Sequence, residues 1–427
     1  MREGAVELQE ARVLLVGVDT GEEKDFDRSM AELKSLTEAA GKCVVGIITQ
    51  RMENVNKALY IGSGKVGEVR EFATECEAQE IIFDNTLSPS QIRNLGRELE
   101  LPISDRTNLI LDIFAMRAKT REAKLQVETA KLQYMLPRLV GLHESLGRQG
   151  GASGNLSNKG TGEKKLELDR RKIEHRISEL RKELEQIGKS RVTQRKRRSS
   201  SRTPQVALVG YTNAGKSTIM NRVVEHYCGS EEKMVLEKDM LFATLETSVR
   251  HIEPEDNRPF FLVDTVGFIH KLPHGLIKAF RSTLEEVKYA DLLVQVVDFS
   301  DESYREQMEV TAETLKELEA SDIPQIIVYN KADLCDEGAL PRIAGNHIYM
   351  AAGKHIGVEE LIRMIQDKLY EDLRESCFLI PYEKGNLASY FMENAMVLEQ
   401  EYRTDGIWLR VNCHSQDRSK YAILICE

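Results

Sequence analysis

Short apolar runs alternate with amphipathic stretches over the first quarter of the chain. Val13-Leu14-Leu15-Val16-Gly17-Val18 carries no polar side chain and reads as a buried strand. Residues 26–40 set Met30, Leu33, Leu36 and Thr37 on one helical face, and Gly41 stops that helix. A second strand is expected at 43–48, a helix at 66–78 and a short strand at Ile81-Ile82-Phe83. A further helix at 89–99 opens on Ser88-Pro89, a side-chain cap followed by proline at the first helical position. This alternation over residues 1–117 predicts a small, largely parallel sheet covered by helices. Ile61-Gly62-Ser63-Gly64-Lys65 lacks a hydroxyl residue after its lysine. It reads as a strand-to-helix turn, with a phosphate contact as the alternative.

The period then changes. Leu125, Leu132 and Leu139 recur every seven residues, with Leu136 between them. Leu166, Ile173, Ile177, Leu180, Leu184 and Ile187 follow at spacings of 7, 4, 3, 4 and 3. Two heptad-like seams predict an antiparallel helical hairpin over 118–190, turning at a Gly/Ser/Asn-rich loop over 147–162. A loop of that length at the tip of a rigid arm is a place for binding. Residues 189–202 hold Lys189, Arg191, Arg195, Lys196, Arg197, Arg198 and Arg202 without an acid. A basic linker over 191–203 and a phosphate-contacting patch both fit that composition.

From 204 to 373 strands and helices alternate again, and here the chemistry concentrates. Val206-Ala207-Leu208-Val209 leads into Gly210-Tyr211-Thr212-Asn213-Ala214-Gly215-Lys216-Ser217, with Thr218 next and a helical segment after it. Strand, glycine-rich turn and helix form the setting of a phosphate-binding loop. Its backbone N–H groups would face phosphate oxygens, Lys216 would reach the β- and γ-phosphates, and the Ser217 hydroxyl would bind Mg²⁺. Asp264-Thr265-Val266-Gly267 follows the apolar run at 260–263. Asp264 there would hold Mg²⁺ through water, and the Gly267 N–H would meet the γ-phosphate. Asn330-Lys331-Ala332-Asp333 follows the strand at 326–329. The Asp333 carboxylate would accept two hydrogen bonds from guanine, which adenine cannot offer, so the ligand is GTP or GDP. Asn330 would brace the base and the phosphate loop, and the Lys331 stem would cover the ring.

Three further expectations complete the site. Thr244, in Leu241-Phe242-Ala243-Thr244-Leu245, would bind Mg²⁺ and sense the γ-phosphate as part of a switch loop. A base loop is expected at Met350-Ala351-Ala352-Gly353-Lys354, where the Ala352 N–H would serve guanine O6 and Ala351 replaces the usual serine. Phe268 follows Gly267, where many GTPases carry the glutamine that orients water, so unaided hydrolysis should be slow or differently organised. Asn213 could coordinate a monovalent cation such as K⁺ beside the phosphates and supply part of the missing electrostatics. Lys216, Thr244, Gly267 and Asn213 are therefore the catalytic candidates, with Ser217, Thr244 and Asp264 around the metal.

Composition bounds the rest. At 427 residues the chain holds about three domains. With 41% hydrophobic and 30% charged residues it is of the globular class. No apolar run nears the length of a membrane span and the first residues lack a signal core, so a cytoplasmic location is expected. Seven scattered cysteines contain no C-x-x-C pair, which fits reduced thiols and no structural metal. The net charge of −10 argues against bulk nucleic-acid affinity. Residues 374–427 suggest a strand at 377–381, a helix at 385–400 and strands at 406–411 and 421–426, a small α+β domain.

Taken together the chain resembles the HflX family of ribosome-associated GTPases. The wording of the phosphate loop, the Leu241–Leu245 switch segment and the hydrophobic Phe268 carry the likeness. So do Asp105-Arg106-Thr107, Ile110-Leu111-Asp112-Ile113-Phe114-Ala115, Gly160-Thr161-Gly162-Glu163 and Asp169-Arg170-Arg171. Lys164, Lys165 and Thr161 depart from that family's usual residues. The resemblance implies an N-terminal α/β domain with a long helical hairpin, a Ras-like P-loop G domain and a small C-terminal domain. It implies binding to the large ribosomal subunit and its rRNA. No DNA partner, at most peripheral membrane association and a monomer are expected. It further implies ribosome-stimulated GTP hydrolysis and the splitting or rescue of stalled ribosomes. The residues alone leave open a GTPase switch acting on a protein effector, possibly at the membrane. An RNA-modifying role finds no catalytic cluster in the N-terminal domain.

Overall fold

The computed structural model describes residues 10–21, 25–148, 159–200, 203–228, 242, 247–254, 256, 258–271, 286–335 and 338–426. The chain divides into two compact units. The first holds the described residues up to Thr193 together with Phe242, His270 and Lys271. The second holds the remainder.

In the first unit, β1 (Arg12–Asp19), β2 (Cys43–Arg51), β3 (Glu80–Phe83) and β4 (Ile103–Asp105) form one parallel sheet in the order β2-β1-β3-β4. β1 is an inner strand and buries Val13 to Val18 on both faces, as a continuous apolar run in a parallel sheet must. The helices are α1 (Phe26–Ala39), α2 (Ser63–Glu75), α3 (Pro89–Leu99) and α4 (Arg106–Arg117). Three of these starts, those of α1, α3 and α4, are locally encoded. Asp25 accepts the Arg28 N–H at 3.0 Å, Ser88 and Gln91 form a reciprocal capping box, and Asp105 accepts the Asn108 N–H at 3.0 Å. The Gly62–Lys65 turn opens α2 and is fixed by Gln50 Oε1, which accepts the Gly62 N–H at 2.9 Å.

The hairpin consists of α5 (Arg121–Arg148) and α6 (Lys159–Ser200). Here the structure differs from the sequence expectation. α6 begins at Lys159 and continues through the basic stretch to Ser200, so 191–200 is helix where a linker was expected. Lysine and arginine have good helix propensity, and no proline interrupts the run. Midway along its length α5 is tied to the sheet through Asp105, which accepts from Tyr134 Oη at 2.7 Å and Arg138 Nη2 at 3.1 Å. The Arg138 guanidinium also stacks on the Tyr134 ring, 3.2 Å from its centroid.

In the second unit a seven-stranded sheet runs β10-β11-β9-β8-β5-β7-β6. Its strands are β5 (Gln205–Gly210), β6 (Ser248–Ile252), β7 (Phe260–Asp264), β8 (Leu292–Asp298), β9 (Gln325–Asn330), β10 (Arg342–Ala344) and β11 (His347–Tyr349). Only the edge strands β6 and β10 pair antiparallel. α7 (Lys216–Cys228) and α9 (Val358–Leu369) share one core with the sheet, and α8 (Tyr304–Glu317) contacts β5 and β8.

The carboxy-terminal sheet is antiparallel, in the order β13-β14-β12-β15. Its strands are β12 (Leu373–Ile380), β13 (Met396–Arg403), β14 (Gly406–His414) and β15 (Ile425–Cys426). α10 (Gly385–Asn394) places Ala388 and Phe391 against Phe378, Leu409 and Val411, and the short α11 (Ser415–Lys420) follows β14. The helix expected over 385–400 thus ends at Asn394, and 396–403 is an edge strand. The last expected strand shrinks to two residues.

A cluster of buried charges sits at the carboxyl end of β3. Asp84 accepts from Arg106 Nη1 at 2.6 Å and from Ser29 Oγ at 2.8 Å, and Arg106 also pairs with Glu32. Burial pushes the Asp84 carboxyl up, but Arg106 and Lys271 more than offset it and hold it below its ordinary 3.8. Its stabilisation is therefore complete above about 3.8 and is lost as pH falls through the lower folded value. Asp84→Asn is expected to cost about 3–5 kcal/mol at neutral pH, because buried Arg106 loses one of its two carboxylate partners and the Lys271 ammonium loses the Asp84 charge. Denaturant melts at pH 7 and pH 3 check this, and the deficit of the variant should narrow at the lower pH.

Candidate nucleotide site

The site gathers where β5 ends and α7 begins. β5 is buried along its whole length, so the loop after it starts from a fixed point. Gly210 has φ +140°, and a Cβ there would overlap the Val296 carbonyl oxygen of β8. Gly215 has φ +97°, and a Cβ there would overlap Asn330 Nδ2. Both glycines are thus demanded by close approach as well as by backbone conformation. Asn213 also lies in the left-handed region, at φ +61°, which asparagine tolerates better than most residues. It is exposed, whereas Tyr211, Thr212 and Ala214 are buried.

Asn330 ties two parts of the site together. Its Nδ2 donates to the Ala214 carbonyl at 2.9 Å, and its Oδ1 accepts the Ala352 N–H at 3.0 Å. One amide therefore fixes the phosphate loop and the 351–354 segment together. Ala351 and Ala352 are both buried, and the Ala351 backbone bonds to Ile356, so this loop is held without a serine hydroxyl. Lys331 adopts φ +59° and its ammonium bonds Asp298 Oδ2 at 2.7 Å. Asp333, on a single short helical turn, pairs with Lys354 at 2.8 Å. A base binding at Asp333 would share its carboxylate with that lysine.

On the phosphate side, the Lys216 ammonium donates to the Gly210 and Tyr211 carbonyls at 3.0 and 2.6 Å. Burial pushes its pKa down to about 8, with the Asp264 carboxylate opposing the shift. A phosphate placed there would supply the counter-charge. The Ser217 hydroxyl donates to Asp264 Oδ2 at 2.8 Å. A hydroxyl and a fully buried carboxylate side by side form a hard-oxygen pair, which suits Mg²⁺. Thr218 follows on the first turn of α7, partly buried. Thr244 lies outside the described residues.

The segment after Asp264 continues along the loop. Thr212 N–H donates to the Phe268 carbonyl at 2.8 Å, and Phe268 N–H to the Gly210 carbonyl at 3.1 Å. A Cβ on Gly267 would stand 2.7 Å from Thr212 Cα and 3.0 Å from Lys216 Nζ, so only glycine fits. The Phe268 side chain is buried. This backbone pairing, and the partners Asp298 and Lys354, were not foreseen from sequence. Asp298 closes the strand beside β9, and that position is the signal that could have found it.

The chain is similar over most of its length to known GTP-binding proteins. Residues 205–331 match the family described as "50S ribosome-binding GTPase". Residues 27–115 and 117–198 match "GTP-binding GTPase N-terminal" and "GTP-binding GTPase Middle Region". The GTPase HflX of Caldanaerobacter subterraneus subsp. tengcongensis is 42% identical over 415 residues, covering 97% of this chain and 94% of that protein. The chain belongs to the HflX family of GTPases. The Escherichia coli GTPase HflX is 37% identical, covering 92% of this chain and 91% of its own. A solved GTP-binding protein from Sulfolobus solfataricus, in complex with GDP, aligns over 84% of this chain and 99% of its own, at 26% identity and a TM-score of 0.42. The activity of the family is hydrolysis of GTP, and the protein is a GTPase on a multidomain α/β fold.

The Asn330 bridge makes a direct prediction. Gly215→Ala should displace the Asn330 amide and strain the loop by about 1–3 kcal/mol, weakening guanine-nucleotide binding roughly tenfold or more. Gly353→Ala meets nothing within 4 Å and should bind as the parent does. Fluorescent-nucleotide titration compares the two.

Proposed function

We propose that the protein is a GTP-driven, Mg²⁺-dependent factor that associates with the large ribosomal subunit and splits or rescues stalled ribosomes. Membership of the HflX family over nearly the whole chain, with a G domain of the ribosome-binding type, carries this reading. No helix among the described residues is long and apolar enough to cross a membrane. We take the protein to act in the cytoplasm, as a monomer, with rRNA contacts from the hairpin loop.

In this proposal the loop from Gly210 to Ser217, with Thr218, encloses the phosphates by its backbone N–H groups. Lys216 neutralises the β- and γ-phosphates, and Gly267 N–H completes the γ-phosphate contacts. Ser217 and Asp264 hold Mg²⁺, joined by Thr244; the bound metal would neutralise charge developing on the phosphate oxygens. Asp333 selects guanine, Lys331 covers its ring, and Asn330 keeps the base loop at Ala351 and Ala352 in register with the phosphate loop. Phe268 can neither donate nor accept through its side chain, so water is left unpositioned and the isolated protein turns over slowly. The ribosome supplies the missing organisation.

Sedimentation with large subunits tests the partner. Co-pelleting in a non-hydrolysable GTP analogue and loss of it in GDP are expected, while equal pelleting in both, or none, would refute the proposal. Asn213 adds a second test, because its exposed amide beside the phosphates fits a K⁺ ligand. Turnover in potassium should exceed that in sodium by about tenfold, and Asn213→Ala should erase the difference.

A further inference from the structure

Open parallel sheets bind ligands outside the carboxyl ends of their strands, at the point where the strand order reverses. In β2-β1-β3-β4 that point lies between β1 and β3. Asp84 follows β3 there, its N–H held by the Val16 carbonyl of β1 at 2.9 Å. What meets Asp84 in this crevice is a side chain of the same protein. Lys271 Nζ lies 2.5 Å from Asp84 Oδ2 and 2.9 Å from Ser29 Oγ. Asp84 is fully buried, and Lys271 keeps 24% of its side chain exposed.

Lys271 stands four residues beyond Gly267 of the Asp264–Gly267 motif. It also holds a left-handed backbone, φ +57°, a conformation that a lysine keeps only where its surroundings impose it. Phe242, two residues before Thr244, repeats the pattern at φ +55°. Its buried ring meets Phe114 of α4 edge to face, with centroids 4.7 Å apart. Each segment expected to sense the γ-phosphate thus carries one residue, in a strained conformation, docked within the amino-terminal unit.

We propose that Asp84 and Ser29 form a receptor for the Lys271 ammonium, and that its occupancy opposes the GTP-bound arrangement of the segment after Asp264. Only two residues separate Phe268 from Lys271, so the two attachments are coupled through the chain itself. In the present arrangement the Thr212 N–H is used by the Phe268 carbonyl, and Gly267 lies against Thr212 and Lys216. For Gly267 N–H and the phosphate loop to meet a γ-phosphate, this segment must shift, and the shift pulls on Lys271. A ligand and an ion pair that favour different arrangements oppose each other by equal coupling in both directions. GDP makes no such demand. Lys271 is therefore a positioning residue that sets the preference between GTP and GDP. The inference rests on guanine-nucleotide binding alone and holds whether or not the partner is a ribosome.

The test uses the full chain and the affinity ratio of a non-hydrolysable GTP analogue to GDP. Lys271→Met should raise that ratio about fivefold or more, Ser29→Ala should raise it less, and Lys271→Arg should leave it within about twofold of the parent. Asp84 keeps Arg106 in every variant, so thermal melts should still show a folded amino-terminal unit. A ratio unchanged in Lys271→Met, or affinities for both nucleotides that rise together, would overturn the proposal. A Ser29→Ala ratio that falls would do the same.

Discussion

One side-chain amide organises the nucleotide site. Asn330 donates to the Ala214 carbonyl and accepts from the Ala352 N–H, so the phosphate loop and the base loop cannot move independently. Gly215 follows from this, since any side chain there would occupy the space of the amide. Gly210 follows from the same crowding on the other side, against β8. The loop is pinned at both ends, and the buried Lys216 ammonium rests on carbonyls within it. A site built this way is preorganised for phosphate and spends little binding energy on ordering itself.

The amino-terminal sheet contributes a different kind of constraint. Its reversal point carries a buried carboxylate that is stable only with cations around it, and Arg106 alone supplies one. Lys271 supplies the other from a segment 187 residues away in sequence. Asp105 acts in parallel at the end of β4, where it holds Tyr134 and Arg138 of α5 midway along that helix. Two acids at the carboxyl end of one sheet thus hold α5 and Lys271.

How much of this could be read from the sequence depended on the range of the interaction. β1 and β5 were legible because burial on two faces leaves an uninterrupted apolar run, as at 13–18 and 206–209. α3 was legible to the residue because Ser88, Pro89 and Gln91 encode its start locally. The start of α6 was obscured by Gly160 and Gly162, whose composition suggests a loop although the helix already includes them. β13 was misread because its polar sequence is exposed on an edge and gains its strand character from pairing with β14. The short β4 and the helix after it lacked a periodic signature of their own. In the nucleotide site the residue types were visible, but the Asn330 bridge to Ala214, the Lys354–Asp333 pair and the Phe268 backbone pairing were not. The Lys271 contact was the least accessible, since no local pattern marks a lysine that docks on a distant carboxylate.

Phe268 makes the account testable as a whole. If its side chain cannot organise water, chemistry must wait for a partner, and that partner should be the large ribosomal subunit. The most direct measurement is steady-state GTP turnover in potassium, with and without purified large subunits. The account predicts slow turnover alone and a rise of about tenfold or more with subunits present. Equal rates in the two conditions would contradict it.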